Sequence, residues 1–179
     1  MFRLRALFLL IAVAAPAADM SLTLLPNTEL RAPLQGIPAR DAERGQRLSA
    51  LFRARGCAEP RLEQQQFSKR KPPNVVCTLP GESTEQIVVG AHFDTVAGSA
   101  GVLDNWAGAA MLPALYATLS AQPRRYTYVF VGFSSEEDGL IGSREYVNQI
   151  PKESRGNVRA MVNLDCMGAG TTKVGYSRS

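Results

Sequence analysis

The only histidine of this sequence stands where an apolar run ends in acidic residues, in the segment Gln86-Ile-Val-Val-Gly-Ala-His92-Phe-Asp94. A buried strand that ends in this way places the His92 imidazole at the carboxyl edge of a sheet. Asp94 can then hold the second ring nitrogen, which leaves the first nitrogen free for a metal ion. Taken alone, His92 could also be a histidine satisfied inside the core.

Three further acidic sites are candidates for the same centre: Asp104, the pair Glu136-Glu137, and Asp165. Singly, Asp104 could cap a helix and the glutamate pair could lie in a solvated turn. Together with His92 they would crowd one cleft, where carboxylates repel each other unless a cation neutralises them. Nitrogen and carboxylate ligands suit zinc, and of two adjacent glutamates one can bind metal while the other takes a proton from water.

The elements that must position these residues alternate along the chain. Apolar spacing and turn residues predict helices over 41–55, 105–120 and 140–150, and strands over 74–79, 86–93, 126–133 and 158–164. The first two strands are separated by the turn residues 80–83, which favours a β-hairpin, and the last two are predicted to be buried.

This alternation predicts an α/β fold with three layers, α/β/α, around a mixed and mostly parallel sheet. In open sheets of this kind, ligands bind beyond the carboxyl ends of the strands. The candidate residue His92 lies at the end of a predicted strand, and Glu136, Glu137 and Asp165 lie just past the ends of two others.

Composition and the N-terminus bear on location. The 179 residues are 45% hydrophobic and predict one domain, and the net charge of +4 comes from scattered basic residues that do not favour a nucleic-acid partner. Residues 1–17 have the charged start, short apolar run and small-residue cleavage site of a signal peptide, with an uncleaved anchor as the alternative. We therefore expect a secreted or periplasmic protein without membrane association after cleavage, with an extended lead-in over 18–36 and the domain over 37–179.

Three cysteines fit an exported protein. Cys57 and Cys77 flank a polar excursion that a disulfide would close, so we expect them to pair. Cys166 is left without a partner beside Asp165; a small buried residue is the commoner explanation, and a thiolate metal ligand is the alternative.

Four segments in order carry a family resemblance: VVGAHFDTV, GVLDNWAGAAMLPALYATL, VFVGFSSEEDGLIGSREYV and RAMVNLDCMG. Over residues 74–168 the sequence resembles the co-catalytic di-zinc exopeptidases, which include secreted bacterial leucyl aminopeptidases and glutamate carboxypeptidases. The resemblance implies that His92, Asp104 and Asp165 bind one zinc. It also implies that Asp104 bridges to a second zinc held by Glu137, with Asp94 fixing the His92 ring.

The same resemblance implies that Glu136 is the general base in hydrolysis of a terminal peptide bond. The family supplies a further zinc-binding histidine downstream, and this sequence has no second histidine. We therefore expect a C-terminally incomplete fold that holds two zinc ions when complete and one here, and that a second chain could complete. Two alternatives stay open: a non-catalytic metal-binding or receptor-like relative, and a transferase that resembles glutaminyl cyclase.

Overall fold

Five strands form one mixed sheet in the computed structural model, which describes residues 25–168, 170, 171 and 173–176. The strands are β1 (Leu62–Gln65), β2 (Asn74–Leu79), β3 (Gln86–His92), β4 (Thr127–Phe133) and β5 (Val158–Asn163), in the spatial order β1-β2-β4-β3-β5. Strand β2 runs antiparallel to both β1 and β4, whereas β3 runs parallel to both β4 and β5. The sheet is therefore mixed, and its parallel half consists of β4, β3 and β5.

Helices cover both faces of this sheet. They are α2 (Asp41–Ala54), α3 (Ala107–Ser120) and α4 (Ile141–Gln149), and a short helix α1 (Asn27–Arg31) precedes them in the chain. Helices α2 and α3 share one hydrophobic cluster with the sheet, and α4 contributes to a second cluster that contains Val88, Val129, Val131 and Tyr146. The mixed sheet with flanking helices confirms the predicted α/β fold.

The apolar spacing of the sequence explains this packing. Leu48 and Phe52 stand four residues apart on α2, so they lie on one face of the helix, and both are fully buried. Strand β4 has helices on both sides, and its residues Val129 to Phe133 are accordingly buried without alternation. A disulfide joins Cys57, just after α2, to Cys77 in β2, as the sequence led us to expect.

The predicted hairpin between β2 and β3 is wrong. Strand β4 lies between them, with Val131 paired to Val76 of β2 and Phe130 paired to Val89 of β3. The partner of β2 on its other side is β1, which the sequence analysis missed because the strand reads Leu62-Glu-Gln-Gln and carries no apolar alternation. Turn residues indicate a reversal of the chain, but they do not determine which strands pair.

Strand β5 is exposed, which corrects the prediction of a buried strand over 158–164. Its residues are exposed beyond Val158, including Met161 at 53% and Val162 at 48%. Among the described strands β5 pairs only with β3, so it forms an edge of the sheet. An apolar run thus indicated strand formation correctly, and burial incorrectly.

The segment before α2 also differs from expectation. Residues 27–34, predicted as part of an extended lead-in, form α1 and a following 3-10 turn. Tertiary contacts stabilise these turns, since the Trp106 indole donates a hydrogen bond to the carbonyl of Pro33 at 2.8 Å. The predicted signal peptide lies outside the described residues. No helix within the described part of the chain is long and apolar enough to cross a membrane.

Candidate metal centre

The centre is built around His92, the last residue of β3. Its side chain is 3% exposed, and parallel pairing places it beside Phe133, the last residue of β4. The ring atom Nδ1 lies 3.4 Å from Oδ1 of Asp94, and neither atom has another hydrogen-bond partner in the described structure. The Nε2 atom of the ring consequently faces the acidic residues.

Asp94 is buried beside the ring and stays ionised. Burial acts to raise the pKa of its carboxyl, but His92 and the backbone amides of Glu136 and Glu137 outweigh burial and lower that pKa. The amide of Glu137 donates a hydrogen bond to Asp94 Oδ2 at 3.1 Å. Asp94 thus links the histidine strand to the loop that carries the glutamate pair.

Three carboxylates from separate segments converge on Nε2 of His92. The nearest oxygens of Asp104, Glu136 and Asp165 lie 3.0, 3.9 and 4.0 Å away. Potential ligand atoms of His92, Asp104 and Asp165 all lie within 4.8 Å of one another. The same holds for the set of His92, Glu136 and Glu137, so every acidic candidate from the sequence lies at this one place.

The pKa values reflect the crowding of negative charge. Burial acts to lower the pKa of His92, but Asp94, Glu136 and Asp165 outweigh it and raise the pKa to about 9. Burial, together with the charges of Asp104 and Glu136, raises the pKa of Glu137. In the metal-free protein the carboxylates thus favour the protonated, positively charged ring. The same negative charge would favour a metal cation beside Nε2. The imidazole and carboxylate donors fit zinc.

Asn105 ties two of these segments together. Its fully buried side chain donates a hydrogen bond to the carbonyl of Leu164 at 2.8 Å and accepts one from the amide of Gly108 at 3.3 Å. Because Asn105 follows Asp104 and Leu164 precedes Asp165, this contact fixes the two aspartates relative to each other. The start of α3 and the end of β5 are thereby joined at the centre.

Asn74, which the sequence analysis did not single out, supports the loop that carries Glu136 and Glu137. This buried first residue of β2 accepts a hydrogen bond from the amide of Ser134 at 3.0 Å and donates one to the carbonyl of Gly142 at 2.9 Å. It therefore holds both ends of the 134–142 loop. The available signal was a polar residue at the start of an apolar strand.

Cys166 is a free and exposed thiol next to Asp165, so it is not the small buried residue that was the commoner expectation. Slight desolvation, a hydrogen bond with Asp165 and the charges of nearby carboxylates raise the pKa of the thiol, which disfavours the thiolate form. Neither of the two ligand sets found among the described residues includes it. The alternative of a thiolate ligand therefore has no support in the geometry.

Known proteins similar to this chain include aminopeptidases and glutaminyl cyclases. The leupeptin-inactivating enzyme 1 of Streptomyces exfoliatus is 34% identical over 100 residues, which are 54% of this chain and 23% of that protein. A zinc aminopeptidase from Bacillus subtilis superposes with a TM-score of 0.51 and 26% identity, covering 53% of this chain and 24% of that one. A glutaminyl cyclase from an Acidobacteriales bacterium gives a TM-score of 0.72 at 20% identity, over 88% of this chain and 64% of that one.

The last of these likenesses, at such low identity, shows the fold alone. The chain spans 19 to 32% of the length of the curated relatives that it matches. Residues 74–179 match the model of Peptidase family M28, and this range contains every residue of the centre described above. This chain belongs to peptidase family M28.

Proposed function

We propose that the protein is a zinc-dependent exopeptidase, of the aminopeptidase type, that hydrolyses terminal peptide bonds with a metal-activated water. One observation carries the proposal: Nε2 of the buried His92 faces carboxylates from three separate segments, at 3.0 to 4.0 Å. A merely structural histidine would need one such partner. Three carboxylates around one ring nitrogen suit a divalent cation.

The residues present would hold one metal better than two. His92, Asp104 and Asp165 offer three protein ligands to a first zinc, while Asp104 and Glu137 offer two to a second, because the sequence has a single histidine. Bound zinc would polarise the substrate carbonyl and make water more acidic. We propose one tightly bound zinc for this chain.

Glu136 is the proposed general base. Its side chain is 31% exposed, and Oε2 lies 3.9 Å from His92 Nε2, so the carboxylate can reach both the centre and solvent. It would take a proton from the attacking water and donate it to the leaving amine. Asp94, ionised and buried, would keep the His92 ring in the tautomer that presents Nε2 to the centre.

The centre is open enough for the end of a peptide. The side chains of Asp104 and Asp165 are 59% and 48% exposed, whereas His92 is buried beneath them. Curated relatives bear the name aminopeptidase, which favours the N-terminal end of the substrate. We also propose an exported protein with a signal peptide over 1–17 and the domain over 37–179, since a disulfide such as Cys57–Cys77 persists in oxidising compartments.

The test compares Glu136→Gln with wild type in zinc content and in hydrolysis of aminoacyl p-nitroanilides. We expect the variant to keep its zinc and lose turnover, because the base is outside the first zinc's proposed ligands. Glu153→Gln, at an exposed position away from the centre, is the matched control and should change neither quantity.

Three results would contradict the proposal. Loss of zinc in Glu136→Gln would mean that the roles of the glutamates are misassigned. A wild-type protein that binds no metal would favour the binding-module alternative. Cyclisation of N-terminal glutaminyl peptides, without hydrolysis of p-nitroanilides, would favour the transferase alternative.

A further inference from the structure

Arg44 of α2 is a buried cation that contacts the segment between two parts of the metal centre. Its side chain is 1% exposed, and it donates hydrogen bonds to Ala100 O at 2.7 Å, Phe93 O at 3.3 Å and Gly101 O at 3.4 Å. A further bond goes from Nε to Pro38 O at 2.8 Å. All four partners are backbone carbonyl groups.

These contacts span what we call the 93–101 loop. Phe93 stands between His92 and Asp94, and Gly101 stands three residues before Asp104, so one guanidinium holds both ends of the loop. The side of the loop away from Arg44 is solvated, since residues 96–100 are all exposed. Phe93 is anchored in the core, but the exposed residues 96–100 have little hydrophobic burial to fix them, and their position depends on hydrogen bonds.

Burial of an arginine at this place needs a reason. Removing a charged group from water is costly unless its donors are satisfied, and an apolar residue at the same helix position would avoid that cost. The planar guanidinium can donate to several carbonyls at once in a fixed geometry, which a leucine or a lysine cannot do. Arg44 is four residues before Leu48 on the buried face of α2, yet most of its hydrogen bonds go to the 93–101 loop.

Gly101 supplies an independent observation on the same contact. Its φ of +54° is a conformation that favours glycine, and a Cβ added there would lie 2.6 Å from Thr95 Cβ and 2.8 Å from Arg44 Nη1. At residue 101 there is therefore no room for a side chain between the backbone of the loop and the Arg44 guanidinium.

We propose that Arg44 is a positioning residue for the metal centre, which holds the 93–101 loop so that Asp94 and Asp104 face His92. This inference rests on the proposed function of the centre as a metal site. It assigns to α2, which lies outside the matched family range of 74–179, a role in metal affinity.

The test measures cobalt affinity, by visible absorption, and zinc affinity, by competition, in wild type, Arg44→Met and Arg44→Lys. Loss of a group that orients metal ligands typically weakens metal binding about 10- to 100-fold, and we expect this for Arg44→Met. Arg44→Lys should fall between the two, because one ammonium can still donate to Ala100 O. Arg53→Met, on the same helix with an exposed ion pair to Glu59, is the matched control and should bind as wild type does.

A second readout needs no metal. In the metal-free protein, amide hydrogen exchange in residues 95–104 should be faster in Arg44→Met than in wild type, while amides of β3 and β4 exchange at unchanged rates. A role in general stability alone would instead accelerate exchange in the strands together with the loop, and that pattern would overturn the inference.

The outcomes separate this inference from the proposed function. If wild type binds no metal, both fail. If wild type binds metal and Arg44→Met binds it equally well, only the positioning role fails. Should Arg44→Met not fold, Gly101→Ala approaches the same contact from the loop, and folded Gly101→Ala protein with wild-type metal affinity would overturn the inference as well.

Discussion

Replacing Asn74 by alanine should both destabilise the protein and disturb the loop of the proposed general base. The change removes the acceptor for the Ser134 amide and the donor to the Gly142 carbonyl, both in the buried interior. A buried polar group left without a partner costs about 1–3 kcal/mol, so two cost ~2–6 kcal/mol. The contact with Gln65 at 3.0 Å is half-buried, where water can replace the lost partner, and it adds little.

Urea unfolding of Asn74→Ala beside Asn148→Ala measures this effect. Asn148 is an exposed residue of α4, and its replacement should change the free energy of unfolding by less than about 0.5 kcal/mol. We also expect Asn74→Ala to lose turnover at saturating zinc, since Glu136 is on the released loop, while His92, Asp104 and Asp165 still bind metal. A loss of stability below about 1 kcal/mol would refute the reasoning, because it would mean that the loop amides find other partners.

Three other predictions concern pH, the disulfide and the second metal. In the metal-free protein the pKa of His92 is raised from 6.5 to about 9, so protonated His92 stabilises the fold fully below pH 6.5 and this stabilisation is lost as pH rises through about 9. Thermal unfolding in EDTA across this pH range measures the loss, and a stability that does not change with pH would contradict the prediction. The double variant Cys57→Ala/Cys77→Ala removes a disulfide between residues 20 positions apart, which restricts the unfolded chain. Its free energy of unfolding in urea titrations should be lower by about 3 kcal/mol. Glu137→Gln should leave metal-free stability unchanged or higher, since neighbouring carboxylates repel this group, yet reduce binding of any second zinc in calorimetric titration; weaker binding of the first zinc would contradict the assignment.

The convergence of the acidic side chains on His92 could be predicted from the sequence, because most of them lie where strands end. His92 and the glutamate pair come directly after apolar runs, and the parallel pairing of β3 with β4 brings the carboxyl ends of both runs to one edge of the sheet. Asp165 follows β5, which is parallel to β3 as well. Local patterns suffice to predict which side chains meet when they lie at the ends of parallel strands.

Pairing and support could not be predicted in the same way. The hairpin prediction failed because β4, which is separated from β3 by the 34 residues 93–126, pairs with both earlier strands, and no local pattern encodes that choice. The supporting roles of Asn74 and Arg44 could not be predicted, because their hydrogen-bond partners are backbone groups distant in sequence. Side chains that bond to backbone place no constraint on the identity of their partners, so the sequence carries no matching signal.

The place of β4 at the middle of the sheet has a consequence for synthesis of the protein. On the ribosome, β2 and β3 emerge before the strand that joins them, so β2 can pair only with β1, and β3 has no paired strand, until residue 133 has left the exit tunnel. In non-local pairings of this kind, the chain loses the entropy of loop closure before the strand contacts stabilise it. During that interval the apolar residues of β2 and β3 are exposed, and they can associate with other chains until β4 covers them.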